Sequence, residues 1–207
     1  MKIEKRSRGR PRAYDPDTAL EQAMLAFWRS GYAGTSLDML SDATGLNRPS
    51  LYSGFGDKLE LYLKAMQQFQ KRAAEHFAAA LKPRPSDESF WDRIARYLDA
   101  AIELYASPEE SEPKGCALLS TATAQALTVP EVGSLLARAL EEMDAQLQLC
   151  LKTAVETGEL PADTEVESLA FLLTSTVHSI GIRARAGDSR QQLKERIKGT
   201  APLLFPS

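Results

Sequence analysis

An all-α fold is predicted by three observations. Apolar residues recur every three or four positions along most of the chain, and Gly and Pro interrupt that pattern at spaced points. No run of alternating polar and apolar residues lies between turn residues, and no Asn-Gly or Asp-Gly pair is present to close a hairpin. The 207 residues, 43% hydrophobic and 26% charged, suffice to bury a core. They have the composition of a globular chain rather than a disordered or collagen-like one.

The elements follow in order. Ala19, Leu20, Ala23, Met24, Phe27 and Trp28 share one face of a first helix over Asp17–Ser30, which Gly31 and Gly34 stop. Thr35 and Asp38 are spaced as a capping pair for a short helix over Ser36–Ala43. Gly45 supplies a tight turn, Asn47 is a good N-cap, and Pro49 is tolerated in the first turn of a third helix ending near Ser53-Gly54. Asp57 caps a long helix to about Leu81, closed by Pro83 and Pro85. Further helices fit Glu88–Ala106, Cys116–Leu127, Glu131–Thr157, Glu165–Ala186 and Arg190–Leu204, parted by Pro or Gly. The expectation is about nine helices, three of them short and clustered near the N-terminus.

Composition excludes several functional classes. The longest apolar run, Leu169 to Ile182, is broken by Thr174, Ser175, Thr176, His178 and Ser179, so no membrane span is expected. No apolar stretch follows the basic N-terminus, so no secretory leader is expected and the chain reads as cytoplasmic. Two Cys make no disulfide framework and lack zinc-site spacing. There is no Gly-rich phosphate loop, no His-Glu-x-x-His and no Gly-x-Ser-x-Gly, and His occurs only at positions 76 and 178. Neither a catalytic residue nor a metal or cofactor is expected.

Charge is uneven. Residues 1–12 carry six basic side chains against Glu4 alone, whereas the rest of the chain is weakly acidic. A basic arm on an acidic body is the asymmetry of a chain whose end meets a polyanion.

A short helix, a turn containing Gly and a second short helix form a helix-turn-helix, the unit that places a recognition helix in the DNA major groove. Here they are Ser36–Ala43, Thr44 to Asn47 and Arg48–Ser53, with Leu37, Leu40, Ala43, Leu46 and Leu51 packing the pair. That leaves Arg48, Pro49, Ser50, Tyr52 and Ser53 outward, with Asn47 at the helix start among the expected contacts. Arg is the usual reader of guanine, and hydroxyls reach bases or phosphates.

The segment from Ala19 to Tyr62 resembles the DNA-binding domain of TetR-family transcriptional repressors. The resemblance rests on Ala23, Phe27, Gly31-Tyr32, Thr35-Ser36, Leu40, Ala43, Gly45-Leu46, Ser50-Leu51-Tyr52, Phe55 and Lys58, in the family's order and spacing. It implies that Thr35 or Ser36 holds a phosphate by hydroxyl and backbone N–H, and that Tyr52 and Lys58 grip phosphates. Arg48, Pro49 and Ser50 would face the groove. The chain departs from the family at Gly54, where a bulky aromatic or His usually precedes Phe55, so position 54 receives no role. Arg8-Gly9-Arg10-Pro11-Arg12 is similar to the core of an AT-hook, whose Arg side chains enter a narrow A·T-rich minor groove, and Arg8, Arg10 and Arg12 become contact candidates.

The resemblance also implies a C-terminal helical domain that dimerises and encloses a pocket for a small effector. The expected organisation is an arm over 1–14, a DNA-binding domain over 15–62 and an effector and dimer domain over 63–207. The last two helices are the expected dimer elements, with Leu172, Ser175, Ser179, Ile182, Leu193, Ile197 and Leu204 at the interface and small residues, Gly181 among them, allowing close approach. Phe69, Trp91, Tyr97, Cys116, Thr123, Met143 and His178 are the expected pocket lining, a mixed aromatic and hydroxyl set suited to a mostly apolar organic compound. Glu141, Glu142 and Asp144 read as a solvated helix face.

The function expected is that of a ligand-responsive repressor acting as a homodimer on a palindromic operator. Two other readings compete. Cys116 follows Lys114 at a helix start, where dipole and charge lower a thiol pKa, as in a redox or electrophile sensor. A helical protein-binding adaptor is the other, and it leaves the basic arm unexplained.

Overall fold

The computed structural model describes residues 14–84, 88–106 and 114–204, with side chains as far as Gly199. Arg8, Arg10 and Arg12 lie outside the described residues, as does the side chain of Leu204. Nine α-helices are present among them: α1 (Pro16–Gly34), α2 (Leu37–Thr44), α3 (Arg48–Phe55), α4 (Lys58–Leu81), α5 (Phe90–Tyr105), α6 (Ala117–Ala122), α7 (Pro130–Glu156), α8 (Val166–Ala186) and α9 (Arg190–Leu204). No helix of the described residues is long and apolar enough to cross a membrane.

Helix α1 begins earlier than its apolar pattern indicates. Asp15 accepts from the Asp17 N–H and the Thr18 hydroxyl, and Pro16 stands in the first turn where a missing N–H costs nothing. Gly31 breaks the helix as expected, with φ 73 and ψ 166. The expected Thr35–Asp38 capping pair does not form. Ser36 is the N-cap of α2, its Oγ accepting from the Met39 N–H at 3.2 Å. Thr35 is 1% exposed and donates its hydroxyl to the Gly31 carbonyl at 2.7 Å, tying off the end of α1.

Helices α1 to α3 close over a core of Phe27, Leu40, Leu51, Phe55 and Tyr62. Tyr62, on α4, meets Phe27 edge-on at 5.1 Å and Tyr32 at 5.0 Å. Burial pushes the Tyr62 phenol up to about 12, despite its hydrogen bond with the Thr121 hydroxyl of α6 at 2.8 Å. Helix α1 packs on α2, α4 and α6, so the N-terminal unit sits directly on the remainder.

Helix α4 starts in a capping box between Asp57 and Glu60 and runs for 24 residues, roughly 36 Å at the α-helical rise. It packs against α1 at one end and against α5 and α7 further on. Phe90, Ile94, Tyr97, Leu98, Ala101, Ile102 and Tyr105 turn one stripe of α5 to this core. Helix α8 covers α5 and α7.

Helix α6 is shorter than the expected Cys116–Leu127. After Ala122 the chain turns back through residues 123–128, and the Ala126 carbonyl lies where a Cβ on Gly133 would stand. Close contact with the start of α7 therefore ends α6. Gly181 has a role other than the expected one: it is buried, with Cys116 and Tyr105 against it. Its missing side chain admits a neighbouring segment of the same chain rather than a second copy. Gly115 (φ 88) lies on the Gly181 carbonyl for the same reason.

Candidate functional sites: the α2–α3 face, the α4–α7 cavity and the α8 stripe

Helix α3 is set by three local devices. Gly45 takes the left-handed conformation (φ 68) that turns the chain out of α2. Asn47 caps α3 by accepting from the Ser50 N–H at 2.9 Å, and Pro49 fixes φ in the first turn. Leu51 and Phe55 are buried, so Arg48, Pro49, Tyr52 and Ser53 are exposed and Ser50 is half-buried. Tyr52 is 49% exposed, its phenol available at the surface.

Arg48 is not free in solution. Its Nε and Nη2 both donate to Asp38 Oδ1 on α2, at 3.0 and 2.6 Å. Sequence reasoning missed this pairing because Asp38 was assigned to a cap. Both side chains are more than half exposed, so solvent screens the pair and holds Arg48 only loosely. Lys58 in the first turn of α4 is half-buried, and its ammonium stands 4.7 Å from the centre of the Tyr32 ring. Partial burial lowers its pKa. Ser36 is exposed at the N-terminus of α2, whereas the Thr35 hydroxyl is committed inward; what Thr35 presents at this helix start is backbone.

A cavity of about 460 Å³ lies between α4, α6 and α7. Phe69, Ala73, Phe77, Tyr105, Leu118 and Met143 make it mainly apolar. Its polar atoms come from Gln70, Glu142, Gln146 and Cys116, with Gln70 donating to Glu142 across the rim at 2.5 Å. Of the expected lining, Phe69, Cys116 and Met143 meet here. The others do not: Trp91 sits against Phe90 in the first turn of α5, and Tyr97 is fully buried against Phe77. Exposed Thr123 donates to the Leu119 carbonyl, and His178 lies on the outer side of α8. Gln70 and Gln146 were missed. Gln70, Ala73, Ala74 and Phe77 on α4, and Ala139, Met143 and Gln146 on α7, are helical stripes, but only packing shows that they face each other.

Cys116 is buried at the start of α6, and its thiol pKa is raised by that burial rather than lowered by the helix start. The expected activated thiolate is therefore corrected. Cys150 is also pushed up by burial.

Helix α8 presents one stripe that no other element covers among the described residues. Phe171 is 69% exposed, Leu172 46% and Ile182 63%, with Ser175, His178 and Ser179 half-buried between them. Phe171 was missed. Leu193, expected at the interface, is 1% exposed and belongs to the core, while Ile197 is half-buried against that core.

A helix-turn-helix with an outward recognition helix, set on a helical body that carries a half-open apolar cleft, defines a DNA-binding regulator. Residues 19–65 match the family model of bacterial regulatory proteins of the TetR family, and residues 91–199 that of the tetracyclin repressor-like C-terminal domain. The chain is 34% identical over 205 residues to the HTH-type transcriptional repressor ComR of Escherichia coli (strain K12), spanning 98% of this chain and 94% of ComR. A cysteine-substituted TetR-family regulator CifR, solved with 26-base-pair operator DNA, superposes with a TM-score of 0.79 at 27% identity, covering 93% of this chain and 98% of CifR. A TetR regulator from Chloroflexus aurantiacus J-10-FL superposes with a TM-score of 0.77 at 26% identity, over 92% and 94% of the two chains. The chain belongs to the TetR family of bacterial transcriptional regulators.

Proposed function

We propose that the chain is a repressor that binds a palindromic operator as a homodimer and is released by a small, mostly apolar organic effector. The observation that carries this reading is the sharing of α4. Its first turn holds Lys58 beside the recognition helix, and three turns later the same helix supplies Phe69, Gln70, Ala73 and Phe77 to the cavity. An occupant that favours a displaced α4 changes the position of α3, through its differential affinity for the two arrangements.

In this reading Asn47, Arg48, Pro49, Ser50 and Ser53 face bases, and Ser36, Tyr52, Lys58 and the backbone at Thr35 hold phosphates. Arg8, Arg10 and Arg12 reach the flanking minor groove. Residues 1–14 serve as the arm, 15–62 as the reader and 63–207 as the effector and dimer unit. Two copies meet through Phe171, Leu172, Ser175, Ser179 and Ile182. CifR's operator complex and ComR's role as a repressor support the reading. The cavity volume falls within the range of small-molecule sites.

Selection from random duplex DNA, followed by anisotropy titration of the winner and a scrambled control at two salt concentrations, tests it. A palindrome bound far more tightly than the control is expected. Enrichment of no sequence, with weak binding that vanishes in moderate salt, contradicts it.

A further inference from the structure

Gly54 lies next to the end of α3, and the space its side chain would fill is taken by Tyr14, from the segment preceding α1. A Cβ on residue 54 would overlap the Tyr14 hydroxyl. The Tyr14 ring packs at 5.9 Å on Phe55, which anchors α3 in the core. Immediately after Tyr14, Asp15 and Pro16 fix the start of α1, so the ring is held at both ends of a short span.

Residues advance about 100° around an α-helix. With Leu51 and Phe55 turned inward, the outermost line of α3 runs through Pro49 and Ser53. Tyr52 then stands on one flank of that line and Gly54 on the other. Because Tyr14 fills the Gly54 flank, the recognition helix is bordered by two phenols, one from its own sequence and one from the chain 40 residues earlier. A helix seated in the major groove lies between two phosphate backbones.

We propose that the Tyr14 hydroxyl binds a phosphate on the strand opposite the one met by Tyr52, and that position 54 is glycine to admit it. The proposal rests on the operator-binding reading above.

Tyr14→Phe keeps the ring on Phe55 and removes only the hydroxyl. It is expected to weaken binding about five-fold for each copy on the duplex, the worth of one hydrogen bond, and so about 25-fold for the dimer. The loss is equal on the selected operator and a scrambled duplex, because a phosphate contact carries no sequence information. The salt dependence and thermal midpoint stay those of the parent, since no charge is lost. Gly54→Ala displaces the hydroxyl and is expected to cost the same, but nothing further when added to Tyr14→Phe. Parental affinity in Tyr14→Phe overturns the proposal, as does a lowered thermal midpoint, which would assign the hydroxyl to the fold. Absence of sequence-specific binding by the parent instead sinks the operator reading, and this proposal with it.

Discussion

At the N-terminal end, the helix starts are held by side chains a few residues away, Ser36 on Met39, Asn47 on Ser50 and Asp57 with Glu60, as Ser89 with Asp92 also starts α5. In the C-terminal half, several boundaries are held from a distance. Arg96 donates to the carbonyls of Ala80 and Lys82 at the end of α4, and Arg190 to those of Glu103 and Ala106 at the end of α5. Helices α6 and α7 start with no side-chain cap. Local caps give a reader whose shape is independent of its neighbours. Distant caps tie helix ends to the relative position of other helices, which suits the effector response proposed above.

The largest expected effect separates the two regions by assembly. Ile182→Glu places like charges across a two-fold contact on α8. It is expected to raise the dimer dissociation constant by at least about a hundred-fold, measured by sedimentation over a concentration series, without altering the helix-turn-helix. A variant that stays as dimeric as the parent removes the α8 stripe from the interface.

Next come two glycines with positive φ, one in each region. Gly115→Ala combines backbone strain with overlap on the Gly181 carbonyl and Arg185 Cβ, and is expected to cost about 2 kcal/mol or more. Gly45→Ala, with open space around it, carries strain alone and is expected to cost about 1 kcal/mol. Chemical denaturation of both variants checks the order; equal costs would mean that the close approach to α8 yields freely.

The reader was therefore legible in the sequence where the C-terminal half was not. Asn47, Gly45, Pro49 and Asp57 act on neighbours within four residues, so spacing alone places them. Thr35 and Asp38 misled because other partners claim their side chains: the Gly31 carbonyl accepts from the Thr35 hydroxyl, and the Arg48 guanidinium donates to the Asp38 carboxylate. In the cavity, three of seven expected residues meet. Periodicity identified apolar faces on α5, α7 and α8, but which face opposes which is set by packing. Tyr97 and Leu193 thus went to the core, and His178 to the far side of α8.

Within the reader, base and phosphate contacts are expected to diverge. Arg48→Ala costs on the order of 1–3 kcal/mol on the selected operator and relaxes its base preference. Lys58→Ala weakens all duplexes alike and flattens the logarithmic salt slope by about two for the dimer, one for each copy of the reader. If both variants lose affinity equally on operator and scrambled DNA, α3 does not read bases.

The smallest effect concerns His178. Burial lowers its pKa from 6.5, against the opposing pull of Asp144. The unfolded chain therefore binds the proton first, and stability falls as pH drops through 6.5 toward the folded value. His178→Gln is expected to flatten unfolding free energy across that window. An unchanged pH dependence would show that the ring is not desolvated.

In the function proposed above, two copies of the α2–α3 reader are joined through α8 on one operator. Binding isotherms of the parent and Ile182→Glu on the full palindrome and on a single half-site separate this arrangement from independent readers. The parent is expected to prefer the palindrome strongly, while Ile182→Glu binds palindrome and half-site alike with weak affinity. Retention of the full preference by Ile182→Glu would contradict it.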